Sequence, residues 1–160
     1  MDLTDKEFDE DILITPFVLQ VNEEASIQLT SVLPDGLSYN ETDAEISGLP
    51  TRPGEYTISV RAIDKANNPT DATFKIRIKD KTAPEIDLNS PHSTLTLVKD
   101  VDSYTEAGAT CSDNFDPTCS VEIGGDSVDT TALGEYIVSY TARDLAGNTS
   151  QKTLKVTVVS

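Results

Sequence analysis

The chain has no tryptophan, one methionine, one histidine and two cysteines in 160 residues, and each scarcity closes off a class of chemistry. A nucleophile–histidine arrangement would have to use His92. That residue sits in the turn-like stretch Asn89-Ser-Pro-His92, with no nucleophile motif around it, and reads as a solvated loop histidine. Aromatic residues make up 6% of the chain. Without tryptophan, an aromatic platform for a sugar ring could come only from Tyr39, Tyr104 or Phe115, because the remaining strand tyrosines fall on the inward register. Basic residues are also few: 12 lysines and arginines face 28 acids, for a formal charge of −16. Such a chain repels phosphate backbones and anionic lipid surfaces at long range, so nucleic acid is excluded as a partner. No apolar run approaches the ~18 residues of a membrane span. Met1-Asp2-Leu3 opens no signal peptide, and the chain reads as a piece of a longer protein.

Strand periodicity and an internal repeat are what the chain does have. Residues 53–80 align without a gap on residues 133–160, and ten of those 28 positions are identical, including Gly54/Gly134, Tyr56/Tyr136, Asp64/Asp144 and Asn68/Asn148. An offset of 80 divides the chain into modules 1–80 and 81–160. In residues 55–62 the apolar Tyr56, Ile58, Val60 and Ala62 alternate with polar neighbours, the period of a strand with one buried face. Phe74, Ile76 and Ile78 repeat the pattern, and Tyr136, Val138, Tyr140 and Ala142, then Leu154, Val156 and Val158, restate it in the second module. Glycine and proline punctuate the chain every ten to fifteen residues.

The expected fold is therefore all-β: two tandem immunoglobulin-like sandwiches of about seven short strands each. Expected strands include Ile12–Thr15, Val18–Asn22 and, in the second module, a short one at Val128. The acidic stretch Asp2–Asp11 reads as a solvated lead-in, at least as far as Glu7. Asp80 to Pro84 forms a short linker, and Pro84 biases Ala83 toward an extended conformation.

Cys111 and Cys119, with seven residues between them, lie in the second module. Zinc would require further histidine or cysteine ligands, so a local disulfide is expected, which implies an oxidising, extracellular compartment. Two free buried thiols are the alternative. Asn40-Glu-Thr42 and Asn148-Thr-Ser150 have the form of glycosylation sequons.

Leu33-Pro-Asp-Gly-Leu37, Ile46-Ser-Gly-Leu-Pro-Thr51, Gly54-Glu-Tyr56 and Val60-Arg-Ala-Ile-Asp64 resemble the cadherin-like modules of bacterial surface proteins and dystroglycan-type ectodomains. In the second module, Thr82-Ala-Pro-Glu-Ile86, Tyr104-Thr-Glu-Ala-Gly-Ala109, Asp113-Asn114, Gly134-Glu-Tyr136, Tyr140-Thr-Ala-Arg-Asp144 and Ala146-Gly-Asn148 resemble bacterial Ig-like modules. Those are related in style to hyalin repeats and occur in adhesins, secreted hydrolases and pesticidal crystal proteins. The resemblance implies a non-catalytic spacer or adhesion role at the cell surface or outside the cell, next to other modules of the same parent protein. A glycan- or protein-binding module, through loop tips such as Tyr104 or Phe115, and an accessory domain of a secreted enzyme are the other expectations.

A cadherin-like strand order would gather Asp113 and Asp116 from one loop, Asp144 from another and Asp80 from the linker, a set of hard oxygen ligands suited to Ca²⁺. The linker departs from the cadherin pattern, because Lys81 stands where an acid would help. The same acids are equally suited to capping their own turns through side-chain hydrogen bonds to backbone N–H groups.

Overall fold

The computed structural model describes residues 3–21 and 24–160, and its described residues form strands, turns and loops without a helix. The chain divides into two units, residues 1–81 and 82–160.

In the first unit the strands are β1 (Lys6–Asp9), β2 (Phe17–Val18), β3 (Ala25–Leu29), β4 (Leu37–Asn40), β5 (Glu45–Gly48), β6 (Gly54–Asp64) and β7 (Pro69–Lys79). They make a four-stranded sheet in the order β1-β7-β6-β3 and a three-stranded sheet in the order β2-β5-β4. The two long strands β6 and β7 pair antiparallel, with Ile58 opposite Phe74 and Tyr56 opposite Ile76. Their apolar stripes therefore share one face, and with Ile14, Leu19, Ile27 and Ile46 they form the core of this unit.

The second unit has β8 (Glu85–Leu88), β9 (Thr94–Val98), β10 (Ala109–Ser112), β11 (Ser120–Gly125), β12 (Gly134–Arg143) and β13 (Thr149–Val159). Its four-stranded sheet, β11-β12-β13-β9, has the same plan as that of the first unit. Facing it are only two paired strands, β8 and β10. Ile86, Leu97, Val138, Tyr140, Ala142, Leu154, Val156 and Val158 are its buried core.

Four local expectations are corrected. The acidic lead-in is a strand from Lys6 onward: β1 pairs in parallel with β7, Lys6 opposite Ile76 and Asp9 opposite Lys79, and Phe8 packs on the core. One apolar side chain and a ladder of backbone bonds outweigh the solubility of its acids; Asp2 lies outside the described residues. The stretch Ile12–Thr15 is not a strand, since Ile12 and Leu13 are exposed and Ile14 alone turns inward, its N–H bonded to the Gly48 carbonyl. The strand expected over Val18–Asn22 shrinks to Phe17–Val18, and Asn22 lies outside the described residues. Val128 forms no strand either. Residues 126–133 are held instead by turns, with Asp126 accepting the N–H of Ile137 and Asp129 capping Thr131.

Candidate functional site

The repeated motif Asp-x-Ala-x-Asn closes the turn between the last two strands of each unit in one manner. In the first unit the Asp64 carboxylate accepts the backbone N–H of Ala66 and of Asn68 on Oδ1, and the Asn68 amide on Oδ2. These bonds, the Asn68 amide first among them, hold the Asp64 carboxyl below the usual carboxylate range. In the second unit Asp144 accepts the Asn148 N–H on Oδ1 at 2.7 Å and the Asn148 amide on Oδ2 at 2.8 Å. The identity of these residues at both sites thus has a local cause: a side chain of this length folds back onto the N–H groups two to four residues on.

The second unit carries a further feature. The loop between β10 and β11 is held by Asp113, whose Oδ1 accepts the N–H groups of Phe115 and Asp116, and by Asp116, whose Oδ1 accepts Thr118 through both its N–H and its hydroxyl. Asp116 Oδ2 then reaches across to the N–H of Leu145 at 2.6 Å, joining this loop to the Asp144–Asn148 turn. The Thr118 bonds, followed by that of Leu145, outweigh the cost of burial and keep the Asp116 carboxyl below its ordinary range. Cys111 and Cys119 form a disulfide at the base of the same loop, with their Cα atoms 6.1 Å apart.

The acids of the sequence-based calcium set stand as follows. Asp113 and Asp144 bring carboxylate oxygens within 4.8 Å of one another. Oδ2 of Asp113 is shielded from solvent and meets no hydrogen-bond partner, an arrangement that suits a cation better than empty space. Asp116 is buried, and both of its oxygens are taken by donors of its own unit. Asp80 belongs to the first unit, where it follows β7 and is buried. Sequence reasoning missed its neighbour in that unit, Glu10, which is 3% exposed and accepts the N–H of Lys81 at 2.7 Å. Nothing local marks Glu10 out from the acids around it. Only the parallel pairing of β1 with β7 delivers it to residues 79–81.

Of the aromatic candidates, Tyr39 packs on the core and donates to the Ile27 carbonyl, while Phe115 is 49% exposed at its loop tip. Tyr104 is half-buried and belongs to a second network that the sequence did not reveal. The Glu106 carboxylate accepts the Tyr104 hydroxyl at 2.5 Å, the Tyr140 hydroxyl at 2.6 Å and the Gly108 N–H at 2.7 Å. Burial, then the bond to Glu106, pushes the Tyr140 hydroxyl up to about 12, and Tyr104 rises for the same reasons. Burial alone would raise Glu106; the two phenols and the N–H outweigh it and its carboxyl ends below the ordinary value.

Comparison with known proteins agrees with this architecture unit by unit. Residues 12–79 match the family described as "Putative Ig domain", and residues 91–158 match "Bacterial surface protein, Ig-like domain". The chain is a tandem of Ig-like surface modules. It is 29% identical over 161 residues to a serine-rich adhesin for platelets from Staphylococcus aureus strain USA300, covering 91% of this chain and 7% of the adhesin. The same protein from strain MRSA252 matches at 29%, with 12% of its length covered. Thus the chain corresponds to a small part of much longer surface proteins. Among solved structures, protocadherin gammaB7 EC3-6 has a TM-score of 0.55 at 17% identity, covering 98% of this chain and 45% of that one. Drosophila N-cadherin EC1-4 has a TM-score of 0.52 at 16% identity, covering 98% and 48%. These likenesses concern the fold. The adhesin relatives and the surface-protein family place these modules at the cell surface or outside the cell.

Proposed function

We propose that the two modules are non-catalytic spacers of a surface adhesin, carrying load between other parts of the polypeptide. The observation that carries this reading is the parallel pairing of an early strand with the last one in each unit, β1 with β7 and β9 with β13. Tension applied to the two ends of such a pair loads all its ladder bonds together in shear, whereas an antiparallel pair pulled at one end opens bond by bond. Force spectroscopy on the full chain tests it. Two separate unfolding events are expected, each releasing roughly 80 residues at ~3.3–3.6 Å per residue. Lys6→Pro, which removes a ladder donor from β1, should lower the force of one event and leave the other unchanged. A single low-force event for the parent chain would sink the spacer reading.

Calcium is the proposed cation for the loop acids of the second unit, Asp113 and Asp144, because of the unpartnered Asp113 oxygen. Addition of Ca²⁺ to isotope-labelled chain should shift the amides of Asp113, Asn114 and Asp144 together and saturate. The amides of Asp80 and Asp116 report in the same titration on the remaining members of the sequence-based set. Shifts spread without saturation over all acidic loops would mean charge screening and end the metal proposal.

A second reading, a module binding a protein or glycan ligand through its loop tips, draws on the exposure of Phe115 and Leu145 on the two loops that Asp116 ties together. The staphylococcal relatives are adhesins for platelets. Platelet capture by the immobilised chain, lost on Phe115→Ser, would favour this reading over a spacer whose adhesive contacts lie elsewhere in the polypeptide. The reading as an accessory domain of a secreted enzyme is tested by the parent gene, where a hydrolase domain beside these modules would support it.

A further inference from the structure

In each unit the four-stranded sheet ends on a strand with no outer partner among the described residues, β3 in the first and β11 in the second, and the units differ in what lies opposite that strand. In the first unit, the residues between β3 and β6 build the hairpin β4–β5, which lies in the second sheet. In the second unit, residues 126–133 run from β11 to β12 without adding a strand, and the second sheet consists of β8 and β10 alone. β11 occupies the place of β3 at the end of the four-stranded sheet, and no strand borders its outer edge among the described residues.

Register shows what the missing hairpin leaves uncovered. Val121 and Ile123 pair with Ala142 and Tyr140, two buried residues, so both point toward the core. Ile123 is nevertheless 47% exposed. Its counterpart in the first unit, Leu29, which pairs with Val60, is packed against the core. A large aliphatic side chain on the core-facing register thus stands half in solvent beside an unpaired backbone edge.

The edge also carries little of what usually guards one. Natural edge strands are blunted with lysine, proline or an inward charge. From Ser120 to Gly125 there is no lysine, arginine or proline, and the single charge, Glu122, is exposed on the outer face. Gly124 and Gly125 have no side chain to hold a second backbone away.

We propose that β11 is a site of strand addition for an extended segment of a partner protein. The segment has apolar side chains at alternate positions, one of which covers Ile123, and lysine or arginine on its other face to meet Glu122. An unpaired edge offers ladder donors and acceptors that an extended backbone matches and a glycan does not. Glu122 and the charge of −16 select a cationic segment and oppose a second copy of this chain, whose like-charged edge would face its own. This role is additional to the spacer reading and does not depend on it.

The probe is a seven-residue peptide alternating valine and threonine between terminal lysines, titrated into the full chain. Its glutamate-ended and proline-centred versions serve as controls. Saturable amide shifts are expected over Ser120–Gly125, with slower exchange along that strand. Ile123→Thr should weaken binding at least about tenfold, the scale of losing one buried aliphatic contact. Glu122→Lys, an exposed change that leaves the core intact, should reverse the preference toward the glutamate-ended peptide. The proposal is overturned if the lysine-ended peptide gives no saturable shift, if the proline-centred peptide binds equally well, or if the shifts fall on β3 or β9. Self-association of the chain through β11 without peptide would overturn it as well, by making the occupant a second copy.

Discussion

Gly48 lies against the backbone of Gly36 at the base of the β4–β5 hairpin: a side-chain carbon on Gly48 would collide with the Gly36 carbonyl oxygen, and one on Gly36 with that of Leu49. Leu49 donates its N–H to the Gly36 carbonyl at 3.0 Å, so this close approach is itself bonded. Both glycines also have positive φ, +86° and +128°. Gly36→Ala should therefore destabilise the first unit by more than ~1 kcal/mol, through the left-handed backbone and the blocked approach together. Urea unfolding followed by residue-resolved amide signals checks this, and the second unit should keep its midpoint.

Glu106 is the acceptor for two tyrosines, one of them in the core. Glu106→Ala would leave the Tyr140 hydroxyl without its acceptor and should cost about 1–3 kcal/mol in the second unit. The same denaturation experiment reads it. An unchanged midpoint would show that the hydroxyl finds water or another acceptor.

The network also sets a dependence on pH at both extremes. The Tyr140 hydroxyl is raised from 10.0 to about 12, so its contribution is complete below pH 10 and is lost as pH rises through about 12. Glu106 is lowered from 4.5, so its contribution is present above that value and is lost as pH falls through the depressed one. Tyrosinate absorbance should thus show the phenols of this network ionising late, together with loss of the second unit's dispersed signals. Normal titration of all five tyrosines would contradict the network.

The disulfide closes a loop from Cys111 to Cys119. Chain entropy assigns a loop of that length about 2.5 kcal/mol. Reduction should lower the stability of the second unit by roughly that amount and leave the first unit unaffected. Equal loss in both units would mean that the reductant acts on something other than this bond.

Asp116→Ala should free the Leu145 and Thr118 amides, whose hydrogen exchange is expected to quicken while that of Asn148, held by Asp144, stays slow. Equal acceleration at all three would mean that the two loops open as one.

Much of the architecture was legible in the residues. The stripes on β6, β7, β12 and β13 could be read because successive side chains of a strand point to opposite faces, a property of the backbone alone. The Asp64/Asn68 and Asp144/Asn148 turns are equally local, since each carboxylate reaches donors a few residues away. The cysteine pair was legible because the chain offers no other thiols and too few further ligands for zinc. Tertiary structure alone decided the rest. It made a strand of the acidic Lys6–Asp9 by laying it in parallel along β7, some 70 residues away, and so buried Glu10. It brought Glu106 to Tyr140 and Asp116 to Leu145, and it left Ile123 half exposed by adding no hairpin opposite. Alternation tells a strand which of its faces is apolar; which neighbour covers that face is settled only when all the strands compete for the same core.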